Sequence, residues 1–510
     1  MKIHADLDLC QGHAVCQAEA PEVFTVPKRG KVEILDSHPG PDAREGVDNA
    51  VRYCPTQALT LNDESSNLHE RTTAVADSDR AARVSFRTQS DSAYTALERD
   101  ELAMLLPELL LSGHLIDRSG MAHTIAAFGR TGMTEVAIEE WQLASPVYTR
   151  RMQRALGFTG DSVETIFKGL QLDIGAPPQF MDFRFRVDDH DHGEFWLDHC
   201  GALADVEPMG EAYVKSMCHD IEDPTFDATA LATNPYAQVR PIHRPPRVPA
   251  DRHPVCAWTV VIDSRHIPPA VPSNFDLIAA SCAATIELES IDRGDAGRAD
   301  YSGPLLSDLR FADFSKSALI RMADEVCLQH HLLALGFLIA VRERADDDAA
   351  VDIARKQFTG IAGLTATRIR DALGLGDDDA ALAQVLSLHP AWNPLPYTGI
   401  CIDHSEVGVR IRIPRNSGAS RDGVWPALVD TDALAPLAAM ARGVNPRYIP
   451  YVVTNTADEL AVGFLLGAES FPEADEVAIT RFSTGAEFQF TDRGIPLPLT
   501  VVQRGTSASR

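Results

Sequence analysis

Residues 6–24 read DLDLCQGHAVCQAEAPEVF, and within them Cys10 and Cys16 bracket His13 at intervals of three. Further on, Cys54 stands directly before Pro55, so the full spacing is C-x2-H-x2-C-x37-C-P. Thiolates hold iron-sulfur clusters because they are soft anionic ligands, and close spacing lets one tight loop aim several of them at one face of an inorganic core. The remote Cys-Pro closes such a site from the other side. Its proline ends a helix, so that ALTLN (58–62) runs on as a strand. Between the two ends lie a turn in SHPGPDA (37–43) and a short amphipathic helix in REGVDNAVRY (44–53).

With this spacing, residues 1–62 resemble the single-cluster bacterial ferredoxins. The resemblance implies that KIHADLD and ALTLN pair as terminal strands and that Cys10, Cys16 and Cys54 are cluster ligands. The usual loop of that family is C-x2-C-x2-C, and here His13 occupies the place of the second cysteine. Three thiolates fit a 3Fe-4S cluster directly. The alternative is a 4Fe-4S cluster with His13 as fourth ligand, whose potential would be raised because imidazole carries no negative charge. The three-iron form is the expectation. A ferredoxin reductase or a monooxygenase-type redox enzyme is the implied partner.

At 510 residues the chain is too long for one core. A formal net charge of -27 argues against nucleic acid or an anionic membrane surface as the main partner. The nine cysteines are unevenly placed and form no disulfide ladder. The amino terminus lacks the pattern of a secretory signal, and the apolar run near 332–341 is too short to span a bilayer. A reduced, cytoplasmic protein is expected.

Residues 63–92 are polar and aperiodic, which reads as a linker. Beyond them the chain matches itself. YTRRMQRALGF ending at Phe158 resembles TATRIRDALGL ending at Leu375, and the same offset of 217 sets Phe180 on Tyr397, His114 on His331 and Trp141 on Phe358. ATNPYAQVRPI around Asn234 matches GVNPRYIPYVV around Asn445 at a shorter offset. The expected fold class is therefore α+β: a small ferredoxin-like domain, then a large, duplicated helical and antiparallel-sheet region. Its lobes would be 93–292 and 300–495, with a tail at 496–510. Each lobe opens with helical periodicity and continues into alternating strands: FRFRV and EFWLDHC around the turn DDHDHG in the first, GICID and VGVRIRIP in the second.

Seven of the seventeen histidines lie between His190 and His266, together with Cys200, Cys218 and Cys256. His190, His192 and Glu194 would share one strand face, as a two-histidine, one-carboxylate metal site requires, but a solvated hairpin tip is the stronger reading. Cys200, Cys218 and His219 are the candidate catalytic residues, since imidazole can stabilise an attacking thiolate. Burial as small hydrophobes is the plainer reading of these cysteines. Arg240, Arg244, Arg247 and Arg252 lie on a proline-stiffened segment that could receive an anionic small molecule, or could pair with the protein's own carboxylates. Cys327 and His331 share a helix face in an apolar run and read as core. Neither a G-x-G-x-x-G opening a helix nor a phosphate-binding P-loop is present, so a bound dinucleotide is not supported. The order of elements in the first lobe is faintly similar to aminothiazoline-carboxylate hydrolase-like and vinyl-reductase-like domains, with no motif that transfers a catalytic residue. The sequence thus points to an iron-sulfur electron carrier fused to a large ligand-binding or partner-docking region. A cysteine-dependent hydrolase, or a ligand sensor with a structural or regulatory cluster, is the alternative.

Overall fold

The computed structural model describes residues 2–5, 7, 10, 14–27, 30–37, 39–40, 43–52, 59–62 and 92–499. The chain divides into two compact units, Met1–Phe86 and Arg87–Arg510.

In the smaller unit, β1 (Lys2–Ala5) pairs antiparallel with β4 (Leu59–Asn62), bringing the two ends of the segment together. Helix α1 (Val15–Glu19) follows the cysteine loop, β2 (Phe24–Thr25) and β3 (Glu33–Ile34) form a short ribbon, and α2 (Arg44–Arg52) crosses α1. The crossing depends on Gly46, where a Cβ would stand 2.7 Å from the backbone oxygen of Glu19. Ile3, Ala20, Val23, Phe24, Val32, Val47, Ala50 and Leu59 form its core, together with Cys10 and Cys16.

The larger unit mixes helices with two antiparallel sheets, the α+β class expected. Its first helix, α3 (Arg99–Leu156), starts at a reciprocal Glu98–Glu101 capping box and is broken at Gly129, whose φ of 71° suits a residue without a Cβ. After α4 (Val163–Leu170) come β5 (Met181–Val187) and β6 (His192–Cys200), then α5 (Gly201–Val206), a π-helical turn at Ser216–Ile221, and α6 (Glu222–Leu231). Strands β7 (Ala237–His243) and β8 (Cys256–Ile262) complete the first sheet, and α7 (Phe275–Ala279) follows. The chain then runs through α8 (Lys316–Arg342), α9 (Asp347–Ala372) and α10 (Asp379–Leu388) to β9 (Cys401–Ser405) and β10 (Gly408–Pro414). It ends with α11 (Gly418–Asp422), α12 (Ala435–Val444), β11 (Tyr448–Asn455), β12 (Glu459–Leu466) and α13 (Asp475–Thr480). One core runs from Tyr94 to Ala486. Helix α8 is long and apolar enough to cross a membrane, but its apolar stretch is wholly buried, as an all-round apolar helix at the centre of a large core must be.

The two sheets have the same strand order, β5-β6-β8-β7 and β9-β10-β12-β11. Matching positions also make matching contacts. Asn234 donates to the Asp161 carbonyl, and Asn445 to that of Asp377. The His114 ring meets Phe180 edge-on at 5.4 Å, and His331 meets Tyr397 at 5.0 Å. Between the halves the contacts are exchanged. Arg151 pairs with Glu325 while Arg368 pairs with Glu108, each arginine from one half and each carboxylate from the other. Likewise Asp205 accepts from Thr484 N–H, and Asp422 from Cys282 N–H.

Candidate functional site

The cysteine loop returns to the small core at Cys10 and Cys16, the two expected ligands that lie among the described residues. Cys10 and Cys16 are each more than nine-tenths buried. The backbone N–H of Val32 donates to Cys10 Sγ at 3.4 Å, a bond that favours negative charge on sulfur. Cys16 sits in the first turns of α1, which is entered through Ala14 in the left-handed region at φ 59°. A non-glycine residue there costs about 1–2 kcal/mol, which the surrounding structure must sustain. Lys31 Nζ donates to the Leu7 carbonyl, tying the loop to the segment that carries Val32. A donor on sulfur, two thiols in one core and paired terminal strands suit an iron-sulfur cluster. His13 and Cys54 lie outside the described residues.

Residues 3–61 match the family model described as a 4Fe-4S single cluster domain. The same segment is 38% identical over 64 residues to Ferredoxin-2 of Streptomyces griseolus and 37% identical over 68 residues to Ferredoxin soy of Streptomyces griseus. Each alignment covers 12% of this chain and 100% of the relative. The chain belongs to the single-cluster ferredoxin family. Membership rests on the amino-terminal module, which is an iron-sulfur ferredoxin domain; the matches leave the larger unit unassigned.

In the larger unit, Cys200 ends β6, Cys218 lies in the π-helical turn and Cys256 opens β8, and all three are buried. The structure gathers them around Glu222. Burial pushes the Cys200 thiol up to about 12 and the Cys218 and Cys256 thiols up as well, and in each case the Glu222 carboxyl adds to the shift. Glu222 itself is pushed up to about 8, chiefly by burial. These thiols keep their protons, and a protonated thiol is a poor nucleophile. His219 is turned away, its Nε2 lying 2.7 Å from the Pro245 carbonyl. Among the described residues no group of three or more His, Cys, Asp or Glu has the geometry to hold a metal.

The hairpin tip is solvated. His190 hydrogen-bonds Asp191 and Asp161, His192 bonds Asp189, and Glu194 pairs with Arg186. The basic segment is engaged internally: Arg240 with Asp227, Arg244 with Asp223 and Arg247 with Glu207. Cys327 meets the Tyr94 hydroxyl at 3.1 Å and His331 Nε2 meets the Asn393 carbonyl at 3.0 Å, both inside the core.

Sequence reasoning missed the buried ionisable residues of α3 and their partner Asp205. Arg118 is buried, with Nε 3.3 Å from Asp205 and Nη1 3.8 Å from Asp117. Glu140 is buried, and burial together with the neighbouring Asp117 carboxyl holds its own carboxyl far above its ordinary range. The available signal was the pair Asp117-Arg118 interrupting an otherwise apolar stretch of α3.

Proposed function

We propose that the chain is a one-electron carrier in which the ferredoxin module exchanges electrons with a redox enzyme, or with the fused region. The observation that carries this reading is the pair of buried thiols, Cys10 and Cys16, in one small core with the Val32 N–H on the Cys10 sulfur. Cys10, Cys16 and Cys54 would hold the cluster, and the bound cluster supplies one-electron exchange at a potential set by its type, burial and hydrogen bonds to sulfur. Val32 favours the more negative, reduced state by donating to sulfur, and the apolar side chains of the core exclude water. With His13 in place of a thiolate, a 3Fe-4S cluster is the preferred form, and 4Fe-4S with His13 as ligand the alternative. A ferredoxin reductase or a monooxygenase-type enzyme is the proposed partner class, and a reducing cytoplasm the proposed compartment.

The same reading sets domain limits at 1–62, a linker at 63–92, lobes at 93–292 and 300–495, and a tail at 496–510. The lobes are proposed to be copies of one ancestral unit. Equal strand order and exchanged Arg–Glu pairs support this. High thiol pKa values at Cys200 and Cys218 weigh against the hydrolase alternative.

Iron and sulfide analysis with low-temperature EPR on anaerobically purified protein tests the proposal. A three-iron cluster gives a signal in the oxidised state, and His13→Cys should convert it to a four-iron cluster that is silent when oxidised. Finding no iron in carefully prepared anaerobic protein would overturn the carrier reading.

A further inference from the structure

Resting on the carrier reading above, we propose that the hairpin of β2 and β3 clamps the cysteine loop around the cluster, with Gln17 and Lys31 as its positioning residues. Helix α1, which carries Cys16, has only five residues, no side-chain cap at Ala14 and no acidic residue in its first turn. A helix so short does not hold its shape alone in water, so the placement of Cys16 depends on what ties α1 to the rest of the module. Helix α2 packs on it at Gly46, and the hairpin adds directed bonds. Val26 N–H donates to Gln17 Oε1 at 2.6 Å, one residue beyond Cys16. Val32 N–H donates to Cys10 Sγ at 3.4 Å. Lys31 Nζ donates to the Leu7 carbonyl, three residues before Cys10. All three donors belong to one hairpin, which is closed by Gly30 N–H on the Pro27 carbonyl at 2.9 Å and paired at its base through Phe24 with Ile34 and Thr25 with Glu33. Its bonds therefore reach the loop on both sides of His13.

Gln17 and Lys31 are both exposed, so water takes over their bonds when either is replaced and the module keeps its core. What such a replacement removes is position. Lys31 also brings a charge: its ammonium group is held on the cysteine loop while the next residue, Val32, bonds a ligand sulfur. A cation beside the site favours the state that carries the extra electron. Gln17 clamps without charge, so the two residues separate geometry from electrostatics.

The test compares anaerobically purified full-length protein with its Lys31→Met, Lys31→Arg and Gln17→Leu variants, each checked for folding by circular dichroism. The midpoint potential is read by EPR-monitored redox titration, and iron release by the rate at which a ferrous chelator bleaches the visible absorbance. Lys31→Met should lower the potential and release iron about two- to tenfold faster, the range that one exposed hydrogen bond supports. Lys31→Arg keeps both donor and charge and should restore both readings. Gln17→Leu should release iron faster by a similar factor with a smaller change in potential, because no charge is lost. Should Lys31→Met take up too little iron to titrate, Gln17→Leu still reads the clamp through iron release. The proposal is overturned if iron-loaded Lys31→Met keeps the parent's potential, as a merely structural role would have it, or if Gln17→Leu loses iron at the parent's rate. Parent protein without iron would instead remove the carrier reading on which the clamp depends.

Discussion

Replacing Arg151 with leucine should destabilise the larger unit by about 4 kcal/mol, and the structure supplies the parts of that figure. The Arg151 side chain is 5% exposed and that of its partner Glu325 is 1% exposed. Breaking such a buried pair typically costs about 3–5 kcal/mol, because a carboxylate is left buried without its counter-charge. Arg321 still reaches Glu325 Oε1 at 2.8 Å, which moves this part of the cost to the low end of that range. Arg151 Nη1 also donates to the carbonyls of Ala284 and Ile286, both at 2.9 Å, and leaving them unsatisfied adds about 1 kcal/mol or more. Urea unfolding followed by tryptophan fluorescence reads this unit alone, since all five tryptophans, Trp141, Trp196, Trp258, Trp392 and Trp425, lie beyond residue 86. Removing both charges in Arg151→Leu/Glu325→Leu should recover a large part of the loss, because no uncompensated charge then remains. The matched variant Arg368→Leu should behave differently. Burial already raises the Glu108 carboxyl while Arg368 and its hydrogen bond hold it down. Without the arginine, Glu108 takes up a proton more readily, so the penalty should shrink as pH falls. A cost below about 1 kcal/mol for Arg151→Leu, or a double variant as unstable as the two single losses added, would refute the argument.

Glu222 makes stability depend on pH. Its folded value is about 8 against an ordinary 4.5, so the native state holds a proton that the unfolded chain releases. Stability from this group is therefore full below pH 4.5 and is lost as pH rises toward 8, by up to about 1.4 kcal/mol per pH unit. Glu222→Gln lacks that slope, so its advantage over the parent should widen between pH 5 and 8 in urea titrations at a series of pH values; a constant difference would contradict the assignment. Gly336→Ala should destabilise by about 1–3 kcal/mol despite alanine's better helix propensity, because its Cβ would stand 2.8 Å from the Glu140 backbone oxygen, and a neutral result in the same assay would show that α3 and α8 can separate freely. Cys16→Ser should strip most of the iron and the visible absorbance from purified protein while Cys218→Ser leaves both intact; equal iron in the two variants would count against the ligand assignment.

How far the sequence could be read depended on whether a feature is local. Alternation in FRFRV and EFWLDHC and the turn between them belong to one hairpin, and β5 and β6 pair around that turn. The terminal strands of the ferredoxin module were legible for another reason, since the cysteine spacing carries the resemblance that implies them. His190 and His192 were ambiguous because a period of two places residues on one face without saying whether that face meets solvent. The buried charges and thiols of the larger unit were not legible as neighbours at all. Asp117 and Arg118 come from α3, Cys200 from the end of β6, Glu222 from the start of α6 and Cys256 from β8, and packing alone brings them together.

The exchanged ion pairs show why the matching of the halves is physically more than a shared strand order. If each half had been stabilised separately, Arg151 would have been expected to find a carboxylate within its own half. Instead it holds Glu325, while Arg368 holds Glu108, and the same offset of 217 that relates the arginines relates the glutamates. Pairs of this kind arise where two identical surfaces meet face to face, because residue i of one copy then contacts residue j of the other and the reverse contact follows. On the proposed duplication, these reciprocal pairs are what joining two copies of one self-associating unit in a single chain would leave behind.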